Sequence, residues 1–225
     1  TLFRRSPVVL MALRESGIRT PKDMVGKRVG IISPGLDNTN DIQLIAMLGN
    51  AGIPKTAVNL VLIEDYGPGS LTSGQMDVYN GFSTDEAVEA QLQGLDINLI
   101  FPSDYGVTIY GNVLFGNEKL IRENPDLVAR FVRATFKGYQ YAIEHPDKAA
   151  ALALKYDPTL DLQSQLASMK AEIPLIDTGD APLGTMDEAV WQGTVSILVE
   201  QGFIPAPIDL PGLYTNEFIA KASSK

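Results

Sequence analysis

Between Arg28 and Phe101 short apolar runs alternate with amphipathic stretches, and this alternation constrains the fold of the chain more than any other feature. Arg28 to Ile32 reads as a short buried strand, and Asp41 to Gly49 as a helix with Ile42, Ile45, Ala46 and Leu48 at helical spacing. Gly52-Ile53-Pro54 ends that unit, and Val58 to Ile63 is the next strand. A turn at Tyr66-Gly67-Pro68-Gly69 opens a short helix ending near Gly74, and Met76 to Tyr79 is a further strand. Thr84 to Gly94 follows as a helix with Asp85 and Glu86 in its first turn, where the helix dipole favours acids. Ile97 to Phe101 closes the series as a strand. Strands separated by helices imply an α/β fold with a mostly parallel sheet covered on both faces.

The flanks read differently. Pro7 to Leu13 is an apolar run that predicts a strand, and Thr20-Pro21-Lys22-Asp23 is a helix start with a Thr cap and Pro at the first position. After Asp104-Tyr105-Gly106 the alternation stops, and Val107 to Phe115 reads as a long extended segment. Asn124-Pro125-Asp126 then begins the longest helix, with an apolar stripe of Leu127, Val128, Phe131, Val132, Phe136, Tyr139 and Ile143. Further helices are expected at Pro146 to Lys155, Leu160 to Glu172 and Met186 to Gln201, with a helical turn at Tyr214 to Phe218. Residues 14–108 are therefore expected to form one complete α/β lobe. Residues 1–13 and 109–225 are expected to supply part of a second, mostly helical lobe, with crossings between lobes at about 3–13 and 107–116.

Composition removes several classes of function. A net charge of −9 argues against nucleic-acid binding, which needs a concentrated basic face. No apolar run approaches the ~20 residues of a membrane-spanning helix. The chain has no cysteine, so disulfides, thiolate metal sites and cysteine nucleophiles are excluded together. His145 is the only histidine, which leaves no partner for a His-based metal site, and neither a metal nor a cofactor is expected. The chain starts with Thr1 and its apolar pattern begins at once, so a signal peptide is expected upstream.

The candidate site lies where the strands end. Ser33-Pro34-Gly35-Leu36-Asp37-Asn38-Thr39-Asn40 offers hydroxyls, amides and a carboxylate beside a helix N-terminus. Open α/β sheets place ligands at this edge, and Ser33, Pro34, Gly35, Asn38 and Thr39 are the expected contacts. Asp65 and Tyr66 after the next strand, and Tyr79 and Asn80 at the end of the third, fall on the same edge. A tyrosine there suits stacking on a heteroaromatic ring, and Asp65 or Asn80 suits reading its edge. Asp104 and Tyr105 are expected to add a carboxylate and a ring near the hinge. Asp85 and Glu86 are read as structural.

With those motifs in place the chain resembles a known family. GIRTPKDMVGKRVGI, SGQMDVY at Ser73–Tyr79, SDYG at Ser103–Gly106 and the stretch from Asn117 to Ala150 carry the resemblance. They resemble ABC-importer substrate-binding proteins of the branch for thiamine-pyrimidine precursors, which also covers sulfonate, nitrate and riboflavin binders. The resemblance implies a two-lobed type II periplasmic-binding-protein fold, with one lobe's parallel sheet complete here and the other incomplete and mostly helical. It implies hinge closure on a small heteroaromatic ligand in a cleft between lobes, without catalysis. It implies a membrane permease as partner, a monomeric state, and a periplasmic or lipoprotein-anchored location. Two alternatives stay open: a pyrimidine-precursor biosynthetic enzyme of the same superfamily, and the effector-sensing domain of a transcription regulator.

Overall fold

The computed structural model describes residues 1–223, and the chain divides into two compact units. The sheet unit comprises Pro7–Ile109 and Gly193–Ala206; the helical unit comprises Thr1–Ser6, Tyr110–Gln192 and the residues from Pro207 onward.

In the sheet unit the strands are β1 (Val8–Leu13), β2 (Arg28–Ile31), β3 (Asn59–Leu62), β4 (Tyr79–Phe82) and β5 (Ile97–Ile100). β2 and β3 run parallel, with Arg28 opposite Asn59 and Ile31 opposite Leu62. A parallel bridge between Val29 and Val78 joins β2 to the start of β4. β1 lies between β4 and β5 and is antiparallel to both, with Val8 opposite Phe82 and Leu10 opposite Ile100. The lateral order is thus β3-β2-β4-β1-β5.

The strand expected at Pro7 to Leu13 is present, and the chain passes between the two units just before it, at Ser6–Pro7. It is an internal strand and the one antiparallel member of a sheet whose other four strands run parallel, so the sheet is mostly parallel, as expected. It is buried on both faces. Leu10 and Ala12 pack into one core cluster, and Val9 and Met11 into the other, so the run needs no polar alternation. The segment 107–116, where the chain passes back at Ile109–Tyr110, contains no strand.

Helix α1 (Thr39–Asn50) covers one face, with Leu44, Met47 and Leu48 against Leu10, Val29 and Val78. The opposite face is covered by α2 (Gly69–Thr72) and α3 (Glu86–Leu92), through Leu71, Ala87 and Ala90 against Val9, Met11 and Tyr79. The expected helix start at Thr20 is a 3-10 turn, Pro21–Met24. Its Asp23 carboxylate accepts the Thr20 N–H at 2.9 Å, which closes a capping box.

The helical unit holds α4 (Glu118–Glu123), α5 (Pro125–Glu144), α6 (Pro146–Ala153), α7 (Leu162–Ile176), the start of α8 (Glu188–Glu200) and α9 (Glu217–Ser223). Ala129 and Val132 of α5, with Phe136, pack against Phe218 and Ile219 of α9. Leu127 and Phe131 of the expected stripe are instead exposed. Arg4 is buried and ties the 178–187 loop: its guanidinium donates to the Thr178 hydroxyl, to the Thr185 carbonyl and hydroxyl, and to Asp187. Trp191 stacks on Tyr214 at 5.4 Å between ring centroids and meets Tyr110 edge-on at 6.1 Å.

Candidate functional site

The site begins with the place where β2 and β4 part. The Val78 N–H donates to the Arg28 carbonyl at 3.0 Å and the Gly30 N–H to the Val78 carbonyl at 2.8 Å, and past Gly30 no ladder bond joins the two strands among the described residues. Beyond that point β2 leads into α1 on one face, while β4 leads into α3 on the other. Neighbouring parallel strands whose helices leave to opposite faces open a crevice at their C-terminal ends, where open α/β sheets bind ligands.

Asp41, in the first turn of α1, organises this edge. It is 0% exposed, and its carboxylate accepts the Ile32 N–H at 3.0 Å, the Ser33 N–H at 2.8 Å and the Asn80 side-chain amide at 3.1 Å. Burial pushes its pKa up, and those N–H donors oppose the shift by favouring the charged form. Because a carboxylate only accepts, the Asn80 amide must present its nitrogen to it. The Asn80 oxygen is then left buried without a partner, as is the side-chain oxygen of Gln43, two residues after Asp41.

On the opposite face Tyr79 ties down the next loop. Its hydroxyl accepts the Gly67 N–H at 3.1 Å and donates toward Glu86 at 3.5 Å. Glu86 in turn accepts the Phe82 N–H at 2.8 Å. Burial pushes the Tyr79 phenol up to about 12 and raises Glu86 above the usual carboxylate value. Tyr79 therefore keeps its proton at any physiological pH. Gly67 sits at φ +106°, a conformation that side chains rarely adopt.

The other expected residues fall into distinct settings. Pro34, Gly35 and Thr39 are exposed, and Ser33 and Asn38 half-buried, on the loop between β2 and α1. Ser33 bonds Asp37 and accepts the Gly35 N–H at 3.3 Å, and Asn38 caps α1 through the Asn40 N–H at 2.9 Å. Leu36 in the same loop holds φ 56°, left-handed backbone that costs a non-glycine residue about 1–2 kcal/mol. Asp65 is exposed, and Tyr66 is 71% exposed, on the loop after β3. β3 pairs with β2, so these two loops leave adjacent strands at one edge.

Tyr79 and Asn80 are each 0% exposed. Asp104 and Tyr105 stand apart from the loop. They lie in a 3-10 turn after β5, and the Tyr105 carbonyl accepts from Asn50, the last residue of α1, at 2.9 Å. The Ser33–Asn38 loop meets the first residue of that helix. The eleven helical steps from Thr39 to Asn50 separate the two by roughly 16 Å of helix.

Sequence reasoning missed Asp41 and left Glu86 as a helix-end acid. Both occupy first-turn positions where an acid is expected for the dipole alone, so nothing local distinguishes them. In chemical terms the edge accepts and donates hydrogen bonds. Among the described residues no cluster of three or more His, Cys, Asp or Glu side chains is arranged to hold a metal ion. Among the same residues no helix is long and apolar enough to cross a membrane.

Comparison with known proteins agrees with the fold. The chain is 28% identical over 229 residues to the riboflavin-binding protein RibY of Chloroflexus aurantiacus, covering 99% of this chain and 64% of that protein. It is 29% identical over 211 residues to a formylaminopyrimidine-binding protein of Halalkalibacterium halodurans, covering 91% of this chain and 63% of the relative. A 4-amino-5-hydroxymethyl-2-methylpyrimidine phosphate synthase of Legionella pneumophila is 32% identical over 163 residues, 71% of this chain and 50% of the enzyme. The chain thus spans less than two thirds of the length of each of these relatives. Among solved structures, the periplasmic aliphatic sulphonate binding protein SsuA from Escherichia coli superposes with a TM-score of 0.74 at 16% identity, over 96% of this chain and 72% of SsuA. That likeness supports an α/β fold of the periplasmic-binding-protein kind. The NMT1/THI5 like family model matches residues 1–149, more than half of the sequence, and the chain belongs to that family.

Proposed function

We propose that this protein is the solute-binding component of an ABC importer and takes a small heteroaromatic ligand of the pyrimidine-precursor or riboflavin kind. The observation that carries the reading is the parting of β2 and β4 at their C-terminal ends, beside an exposed loop of hydroxyls and amides, the place where open α/β sheets bind ligands. Two relatives aligned over more than nine tenths of the chain are binding proteins for riboflavin and formylaminopyrimidine, which supports the ligand class. In this reading Ser33, Pro34, Gly35, Asn38 and Thr39 meet one edge of the ligand. Tyr66, exposed beside Asp65 on the adjacent loop, is free to stack on a ring. Asp104 and Tyr105, at the far end of α1, are given no part in that contact. The partner is a membrane permease, and the protein works outside the cytoplasmic membrane as a monomer.

The synthase relative favours a second reading, a pyrimidine-forming enzyme. We infer binding without catalysis, because this chain supplies no cysteine and its one histidine, His145, packs edge-on against Tyr141 at the α5–α6 junction. The test is a thermal-shift titration of the intact protein with riboflavin and with formylaminopyrimidine. Ligand at a hundred times its Kd stabilises by about 2.7 kcal/mol and raises the melting temperature accordingly. A melting temperature unmoved by either compound refutes the ligand class, and turnover of a pyrimidine precursor refutes the non-catalytic reading.

A further inference from the structure

Consecutive residues of a strand point to opposite faces of the sheet, and on β4 each of two neighbours reaches a different edge loop. Asn80 faces α1, where it holds Asp41, whose carboxylate takes the Ile32 and Ser33 N–H groups at the root of the loop after β2. Tyr79 faces the other cluster and takes the Gly67 N–H in the loop after β3. Both side chains are 0% exposed. Neither is therefore placed to touch a ligand, although each bonds the segment that is.

The backbone explains why such a device is needed. β2 and β4 stop pairing after Gly30, so the Ile32 N–H has no ladder partner and takes a side-chain acceptor instead. The next residue, Gly81, completes the arrangement by its lack of a side chain. A Cβ there would lie 2.7 Å from the Tyr79 ring and 2.8 Å from the Glu86 carboxylate, and would push both out of place.

We infer that Tyr79 and Asn80 are positioning residues, a two-sided clamp that holds the loops after β2 and β3 in fixed relation at the sheet edge. The role rests on the reading that those loops carry the ligand. Asp41 is the relay on one side, and Glu86 fixes the Tyr79 hydroxyl on the other.

The experiment combines amide hydrogen exchange with ligand titration on the intact protein. Y79F keeps the shape and removes the acceptor, so exchange in the 64–72 segment should quicken ~10-fold while that of 32–38 stays as in the wild type. D41A removes the acceptor of the Ile32 and Ser33 N–H groups, and their exchange should quicken ~10-fold with 64–72 unchanged. D41N keeps one oxygen for those two N–H groups, and the Asn80 amide can turn its unpartnered oxygen to the new NH2, so exchange should stay near the wild-type rate. If riboflavin or formylaminopyrimidine binds the wild type, affinity should fall ~10-fold in Y79F and D41A and stay near the wild-type value in D41N.

Loop exchange unchanged in both Y79F and D41A, or a D41N no better than D41A, overturns the clamp. So does faster exchange spread evenly over the whole sheet unit, which marks a general loss of stability. A wild type that binds neither compound refutes the function proposed above, and the exchange measurements decide the clamp regardless.

Discussion

Replacing Arg4 tests how the helical unit is held together. The Arg4 side chain is 7% exposed, and its guanidinium donates to the Thr178 hydroxyl at 3.1 Å and to the Thr185 carbonyl and hydroxyl at 2.9 and 3.1 Å. Its carboxylate partners, Asp180 and Asp187, are 63% and 54% exposed, so solvent screens them and they add little. Stabilisation therefore resides in the neutral acceptors, at about 1 kcal/mol each. Arg4→Ala should cost about 3 kcal/mol, or roughly 12 °C in the melting transition of a unit of this size. Arg4→Lys keeps the charge but not the planar fork, and should still cost about 2 kcal/mol.

Trp191, the only tryptophan, lies in the helical unit, so its fluorescence follows that unit's melting. Measurements at low salt and at 0.5 M added salt (roughly a 4 Å screening length) separate the contributions, because neutral acceptors are barely screened. An Arg4→Lys variant within about 0.5 kcal/mol of wild type refutes the reasoning, because charge alone would then suffice. A deficit that disappears in high salt refutes it as well.

Other expectations follow from the same kind of reading. Glu86 has a raised pKa in the folded state, so the fold holds a proton that the unfolded chain has already released. This acid therefore subtracts stability progressively as pH rises from its ordinary value of 4.5 through the raised one. Glu86→Gln keeps an acceptor for the Phe82 N–H, so its stability relative to wild type should grow with pH across that window and then level. Urea unfolding followed by circular dichroism from pH 3.5 to 8 checks this, and a pH-independent difference refutes it. Gly81→Ala should cost about 2 kcal/mol by the same assay, because its Cβ has no room beside the Tyr79 ring; a variant as stable as wild type contradicts the packing. Gly184 at φ +85° has Ile219 and Phe136 side-chain atoms 2.5 Å from a Cβ, so Gly184→Ala should lower the Trp191-detected transition.

How much of this was legible in advance depends on how far apart the interacting residues are in the chain. Alternation between Arg28 and Phe101 was enough for the α/β class, because each strand and helix is a local pattern with its own period. The Thr20 cap was equally local, resting on a bond spanning three residues, whereas Asn38, read as a ligand contact, caps α1. The polar loop at the edge of β2 followed from order alone. β1 was legible as a strand but not as an internal, antiparallel one, because its neighbours lie some seventy and ninety residues away.

By itself, then, the sequence determined the class of fold, the succession of elements from β2 to β5, and the loop that presents hydroxyls and amides at the strand ends. Only the tertiary structure decided which polar residues serve that loop. Asp41 and Asn80 are 39 positions apart, and neither shows its role until β4 is laid beside β2. Tyr79 and Asn80 looked like ligand contacts because polar residues at strand ends usually are, yet packing on both faces buries them completely. Asp104 and Tyr105 were expected near the hinge, and only the fold shows that the turn after β5 sets them at the end of α1 away from that loop. Local pattern specifies which elements form. The burial that assigns a side chain to ligand or to scaffold depends on contacts across the sheet, and those exist only once the chain is folded.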